Sequence, residues 1–226
     1  METEDSTKSN VTANGESVHI KMYVVIYNIG KKKNIGCIVR SCVAFNVSEI
    51  FIVGKKKKEI SFFGNMGTYE YINIKYFNNI IELKTYLNKN NILLYACEIS
   101  YKAVPITEKP FVKQPTAFLF GNEGTGISKN ILDLCDKIIY IPQYGNGTAS
   151  LNVAVSCAII LQKFAEWANY RQVEIEGNKF FIKKSEGKLH KYLNASDDLK
   201  HEINNKRIMR LEKKNDFYLT DFSCLL

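Results

Sequence analysis

Short runs of unbroken apolar residues alternate along this chain with stretches whose apolar positions recur every three or four residues. The runs MYVVIYN (22–28), SEIFIVG (48–54), YINIKYF (71–77), NILLYACE (91–98), TAFLFG (116–121) and KIIYIP (137–142) read as strands. The best of them carry no alternation of apolar and polar residues, the mark of strands buried on both faces. Between the first two, apolar residues at 35, 38, 39, 42 and 45 have helical spacing and predict a helix within 34–47. Further helices are expected at 78–89, 127–135 and 150–171. Strands alternating with helices in this way predict an α/β fold, a parallel sheet with helices on both faces.

The pattern fails at both ends. Residues 1–20 are polar and predict a disordered tail. After Arg171 the chain turns polar and basic, with one short strand-like stretch and apolar residues at 199, 203 and 211 that suggest an amphipathic helix within 194–214. The expected organisation is therefore a tail (1–20), a folded domain (21–172) and a basic C-terminal extension (173–226). The chain of 226 residues suits one domain with extensions.

Charge adds a little. Thirty-one Lys and Arg against 23 Asp and Glu leave a net +8, which suits a polyanionic partner slightly better than compositional drift in a Lys-, Asn-, Ile- and Tyr-rich sequence. The six cysteines include no C-x-x-C pair, and the three histidines lack metal-ligand spacing, so neither a disulfide framework nor a zinc site is expected. No signal peptide, transit peptide or membrane span is read from the sequence; the longest apolar run, LNVAVSCAIIL (151–161), is too short to cross a bilayer. A cytoplasmic location follows as an expectation, with the nucleus left open.

Three segments carry residues unusual for their place. In KKKNIGCIVR, Asn34 is placed to cap the first helix, and Arg40 lies six residues on in a largely apolar helix. In FLFGNEGTGIS, a strand runs into a glycine turn with Glu123 in its middle, lacking both the P-loop lysine and the dinucleotide-binding spacing. In IPQYGNGTASLNVAVSC, a glycine-bearing loop leads to Ser150, a natural N-cap, and to Asn152 and Ser156 on one face of the last helix. Taken singly, each has a plainer reading: a capping Asn with a snorkelling Arg, a solvated Glu, a capped helix with a satisfied Asn. The lysines at 31–33 directly precede the first segment and suit either phosphate contact or a solvated loop; those at 55–58 read as a solvated loop.

Together the three segments resemble the SpoU (TrmH-type) RNA ribose 2′-O-methyltransferases of the SPOUT superfamily. The first corresponds to N-x-G-x-x-x-R (Asn34, Gly36, Arg40), the second to F-G-N-E-x-x-G (Phe120 to Gly126), and the third to I-P followed by S-L-N-V-x-V (Ile141, Pro142, Ser150 to Val155). The resemblance covers about 22–171, with a loop between Ile141 and Leu151 one residue longer than in many relatives. It implies a C-terminal trefoil knot, a homodimer packed through the knotted region, and S-adenosylmethionine as methyl donor without a metal. The partner implied is RNA, tRNA favoured over rRNA; the competing class is a catalytically inactive RNA-binding relative. By resemblance, Asn34, Arg40, Glu123, Ser150 and Asn152 form the catalytic set. Leu119, Gly121, Asn122, Ile141, Gln143, Ser150 and Leu151 hold the cofactor, and Lys31, Lys32 and Lys33 face RNA.

Overall fold

The structure is a computed structural model and describes residues 20–56, 60, 62 and 64–182, together with Asn205 and Met209. The chain divides into two compact units, Met1–Gln172 and Val173–Leu226. The expected tail falls outside the described residues except Ile20. The expected helix at 194–214 lies outside them too, apart from Asn205 and Met209, both helical and exposed.

The first unit is a seven-stranded sheet: β1 (Met22–Tyr27), β2 (Glu49–Val53), β3 (Asn73–Phe77), β4 (Leu93–Cys97), β5 (Val104–Pro105), β6 (Thr116–Phe120) and β7 (Lys137–Tyr140). Their order across the sheet is β3-β2-β1-β6-β4-β7-β5, and every pairing is parallel. Helices α1 (Lys32–Ala44) and α4 (Val153–Trp167) pack together on one face. Helices α2 (Ile80–Lys89) and α3 (Lys129–Leu132) cover the other. The unbroken apolar runs are explained by this sandwiching. Along β1, Val24 and Ile26 enter the core under α1 and α4, while Val25 enters the core with Leu83 and Leu87 of α2. The α/β expectation holds, and the six runs become six strands. Only β5, two residues long at the sheet edge, had no counterpart in the pattern.

Helix ends differ most from expectation. α1 begins at Lys32 with Lys31 as N-cap, so Asn34 stands inside the first turn rather than capping it. Its other end follows local rules: Asn46 takes a left-handed φ of 58°, and the Val47 amide turns back to the Cys42 carbonyl at 2.9 Å. α4 begins at Val153, not at 150, with Asn152 as N-cap accepting from the Ala154 amide at 2.9 Å. Ser150 is exposed in the loop before it, its carbonyl held by the Thr148 hydroxyl at 2.9 Å.

In the second unit, the strand-like stretch is a short antiparallel hairpin, β8 (Ile175–Glu176) and β9 (Lys179–Phe180), turning through Gly177 at φ 60°. Among the described residues, no helix is long and apolar enough to cross a membrane.

Candidate active site

Strand order reverses at β1. The chain winds outward through β2 and β3, then returns to β1's other edge with β6. In a parallel sheet such a reversal leaves a crevice at the carboxyl ends of the strands. Here β1, β6, β4 and β7 are consecutive neighbours, so the loops after all four converge. They enclose a cavity of about 800 Å³. That lies within the range of sites that swallow a cofactor-sized molecule.

Glu123 organises the near wall. Its carboxylate accepts from the Gly30 amide (Oε2, 3.0 Å), the Lys31 amide (Oε1, 3.1 Å) and the Asn34 side-chain amide (Oε1, 2.8 Å). A residue some 90 positions away thus pins the chain that enters α1: the Gly30 and Lys31 amides lie just ahead of Lys32, and the Asn34 side chain stands in the first turn. Burial pushes the Glu123 carboxyl up, but hydrogen bonds from Gly30, its own amide, Asn34 and Lys31 outweigh it and hold the group below the usual carboxylate range. The charged form also suits the positive end of α1.

The network continues. Asn34 Oδ1 accepts from the Asn152 side-chain amide at 3.2 Å, while Asn152 Oδ1 caps α4. Asn34, Glu123 and Asn152, one from each sequence segment, are therefore joined side chain to side chain. Both asparagines use donor and acceptor at once, which fixes their orientation.

The glycine turn after β6 is closed on itself. Asn122 accepts at Oδ1 from the Gly124 and Thr125 amides (2.9 and 3.0 Å) and donates from Nδ2 to the Asn28 carbonyl (2.9 Å). The side chain of Asn122 is thus spent on holding the turn against the end of β1. A Cβ on Gly121 would lie 2.5 Å from Ile127 Cγ1 and 2.8 Å from the Gly126 carbonyl oxygen, so only glycine permits this closure.

Gly121, Asn122, Ile141, Gln143, Ser150 and Leu151 all line the cavity, as do Lys31, Glu123 and Asn152. Asn34, Leu119, Arg40, Lys32 and Lys33 are not among the lining residues, although Asn34 is bonded to two that are. Leu119 is fully buried in the core beneath α2 and α3; successive strand residues face opposite sides, and it is Phe120 that reaches the cavity. Arg40 is exposed on α1 and does not line the cavity. Six residues from Asn34 place it about 9 Å along the helix and about 120° around it. Lys32 and Lys33 are exposed in the first turn of α1, beside the cavity's Lys31. Lys55 is not merely solvated: its ammonium donates to the Ile29 carbonyl at 2.6 Å, and it ties the loop after β2 to the loop after β1.

Sequence reasoning missed Glu98, which lines the cavity at the end of β4. An acid directly behind an apolar strand was the available signal. Cys97 also lines the cavity, and burial pushes its thiol well up, so it offers no nucleophilic thiolate. Among the described residues, no three His, Cys, Asp or Glu gather as metal ligands.

This arrangement can bind a mid-sized ligand against main-chain groups and orient a polar partner at its mouth. The chain is similar to known proteins. The chain is 32% identical over 139 residues to the tRNA (guanosine(18)-2′-O)-methyltransferase of Thermus thermophilus, covering 61% of this chain and 71% of that one. It superposes on the TrmH/SpoU tRNA modifying enzyme of Aquifex aeolicus with a TM-score of 0.59 at 28% identity, over 67% of this chain and 78% of that one. An AdoMet-bound rRNA methyltransferase from Sinorhizobium meliloti shares the fold, with a TM-score of 0.59 at 22% identity over 66% and 57% of the two chains. The model of the SpoU rRNA Methylase family matches residues 21–162, and to that family the chain belongs.

Proposed function

We propose that this protein transfers a methyl group from S-adenosylmethionine to a ribose 2′-hydroxyl of RNA, with tRNA as the substrate. The observation that carries the reading is the Asn34–Glu123–Asn152 network at the cavity wall. It joins the three family segments beside a turn closed tightly enough to present its backbone to a ligand. The tRNA assignment rests on the Thermus relative, named for that substrate. The fold shared with an AdoMet-bound protein supports the choice of donor.

The residues present suit that cofactor. Gly121 lets backbone approach where a side chain would collide, and Ile141, Gln143, Ser150 and Leu151 supply the facing wall. The sulfonium of the bound cofactor supplies an electrophilic methyl. The protein's task is to orient the attacking hydroxyl and dispose of its proton. Arginine, with a pKa of about 12.5 or more, is a poor base but a good planar donor. Arg40 is assigned to orient the hydroxyl and stabilise the oxyanion that develops, with an RNA phosphate taking the proton. Glu123, Asn34 and Asn152 hold the start of α1, and Ser150 lies on the cofactor loop.

Arg40 stands away from the cavity in one chain, and this favours a site completed between two copies. α4 packs on α1 and leaves Val155 and, just before it, Leu151 exposed, an apolar pair suited to a homodimer contact. The implied trefoil knot is part of the same proposal; the parallel insertion of β7 between β4 and β5 is compatible with such threading. Lys31, Lys32 and Lys33 are assigned to RNA phosphate, and the basic extension to further RNA contact.

The test is transfer of labelled methyl from S-adenosylmethionine to tRNA by the purified protein, followed by mapping of the modified nucleotide. Label resistant to alkaline cleavage at one ribose, and lost when that ribose is replaced by deoxyribose, is the expected result. Cofactor and tRNA binding without transfer would favour the inactive RNA-binding relative.

A further inference from the structure

We propose that Glu98 is the charge-reading wall of the cofactor cavity: its carboxylate faces the sulfonium of the methyl donor and sets the preference for the donor over its product, which lacks that charge. The proposal rests on the donor being S-adenosylmethionine and names a residue that the three family segments do not contain.

Glu98 follows β4 directly, and its backbone is pinned there, its amide donating to the Ile139 carbonyl at 3.0 Å. Its side chain turns toward the glycine turn. Oε2 accepts from the Ile127 amide at 2.9 Å, and Oε1 accepts from the Ile99 amide at 3.0 Å. Gly126, at φ 64°, lets the turn pass so close that a Cβ there would fall 2.5 Å from Glu98 Oε2. The carboxylate is therefore seated between the ends of β4 and β6, fixed by two main-chain donors.

Those two bonds leave it unfinished. A carboxylate offers about four acceptor positions, and Glu98 spends one on each oxygen. Glu123, the other acid lining the cavity, spends three on Gly30, Lys31 and Asn34 and is committed to α1. The charged side chains around the cavity are thus two carboxylates and the Lys31 ammonium, an excess of one negative charge. S-adenosylmethionine carries a sulfonium and an ammonium against one carboxylate. S-adenosylhomocysteine has lost the sulfonium charge and is otherwise nearly the same shape. A carboxylate inside a partly enclosed cavity distinguishes them by its Coulomb attraction to the sulfonium, a contribution that is lost once the methyl has left while the ammonium stays. This makes Glu98 a residue that favours loading of donor and release of product.

A residue that only held the turn would affect both ligands alike, so the readout is a ratio. Glu98→Gln keeps the shape, removes the charge and leaves one of the Ile99 and Ile127 amides without its acceptor. Titration calorimetry on the full-length protein should show both ligands weakened, with the ratio of donor to product affinity shifted about three- to tenfold against the donor. Glu98→Asp, which keeps the charge, should hold the ratio within twofold of wild type. Equal weakening of both ligands by Glu98→Gln would overturn the proposal and leave Glu98 a brace of the turn. Should Glu98→Gln not fold, wild-type protein decides with two probes. An analogue bearing an ammonium in place of the sulfonium should bind at least threefold tighter than S-adenosylhomocysteine, and equal affinity overturns the proposal. A wild-type protein that binds none of these ligands, while folded, sinks the methyl-donor reading itself and this proposal with it.

Discussion

The two walls of the cavity are built on different principles. On one side, the loops after β1 and β6 are cross-braced: Glu123 to Gly30, Lys31 and Asn34, and Asn122 to Asn28 and to its own turn. On the other, the loop from Tyr144 to Leu151 is exposed, shaped by the Thr148 hydroxyl against Ser150 and joined to the braced side through Asn152. The braced wall fixes its polar groups in advance and so loses little freedom on binding. The open wall leaves its backbone from Tyr144 to Gly147 exposed, where a ligand can reach it. A cavity that must hold one invariant cofactor and admit a bulky polymer gains from having both.

The comparison is broken most severely if chemistry does not depend on a residue outside both walls. Arg40→Ala should lower kcat at least about a hundredfold, the scale of a lost oxyanion donor. Cofactor affinity should stay near wild type, because Arg40 does not line the cavity. Arg40→Lys should rescue little, since an ammonium lacks the planar fork. Single-turnover kinetics with calorimetry separates the two effects; an Arg40→Ala protein near wild-type rate removes Arg40 from the mechanism.

Next in size is the closure of the braced wall. Gly121→Ala drives a methyl into Ile127 and the Gly126 carbonyl. Overpacking of this kind costs about 1–3 kcal/mol, and where that cost falls on the bound turn cofactor affinity should drop about five- to 150-fold. Gly145→Ala and Gly147→Ala on the open wall meet nothing within 4 Å and should change it little. Equal losses on the two walls would show that the braced turn is no tighter than the open loop.

Glu123→Gln probes the brace through its charge. The folded carboxyl lies below its ordinary value, so its contribution to stability is full above the unfolded pKa of about 4.3 and is lost as pH falls through the depressed folded value. The substitution should cost about 1 kcal/mol at pH 7. That is a drop of a few degrees in Tm. The gap between wild type and Glu123→Gln should narrow as the pH is taken from 5 toward 3. A gap that widens in acid would mean the charge destabilises the start of α1.

The same contrast explains what could be read from sequence. Strands buried on both faces announce themselves as apolar runs, and six of seven were legible. The turn at 121–126 was legible as a turn because Gly121, Gly124 and Gly126 follow a strand. The start of α1 was not, because Glu123 holds the chain just ahead of it from a distant loop and local pattern favoured Asn34 as the cap. The start of α4 offered two good capping residues, Ser150 and Asn152, and only the Asn34 contact pulls the second into place. Leu119 against Phe120 is a question of strand parity, fixed by which core each side chain enters. Glu98 carried a usable signal, an acid closing an apolar run, but no family segment drew attention to it.

A measurement that changes no residue gives the sharpest view of the two walls. Backbone amide exchange reports local opening. In the free protein, the amides of Gly124, Thr125 and Gly126 are held by Asn122, and those of Gly30 and Lys31 by Glu123, so they should exchange slowly. Amides between Tyr144 and Thr148 should exchange fast, since this stretch is exposed and Thr148 Oγ1 is its brace toward Ser150. Saturating S-adenosylmethionine can slow the open wall by up to about a hundredfold at a hundred times Kd, if that wall opens only in the free form. The braced wall, already slow, has less to gain. The expected result is a contrast between 124–126 and 144–148 that is large without cofactor and narrows with it. Equal exchange in the free protein would mean that the hydrogen bonds from Asn122 and Glu123 do not hold the braced wall in solution. An open wall that stays fast with cofactor bound would move the ligand's contacts onto the braced side alone.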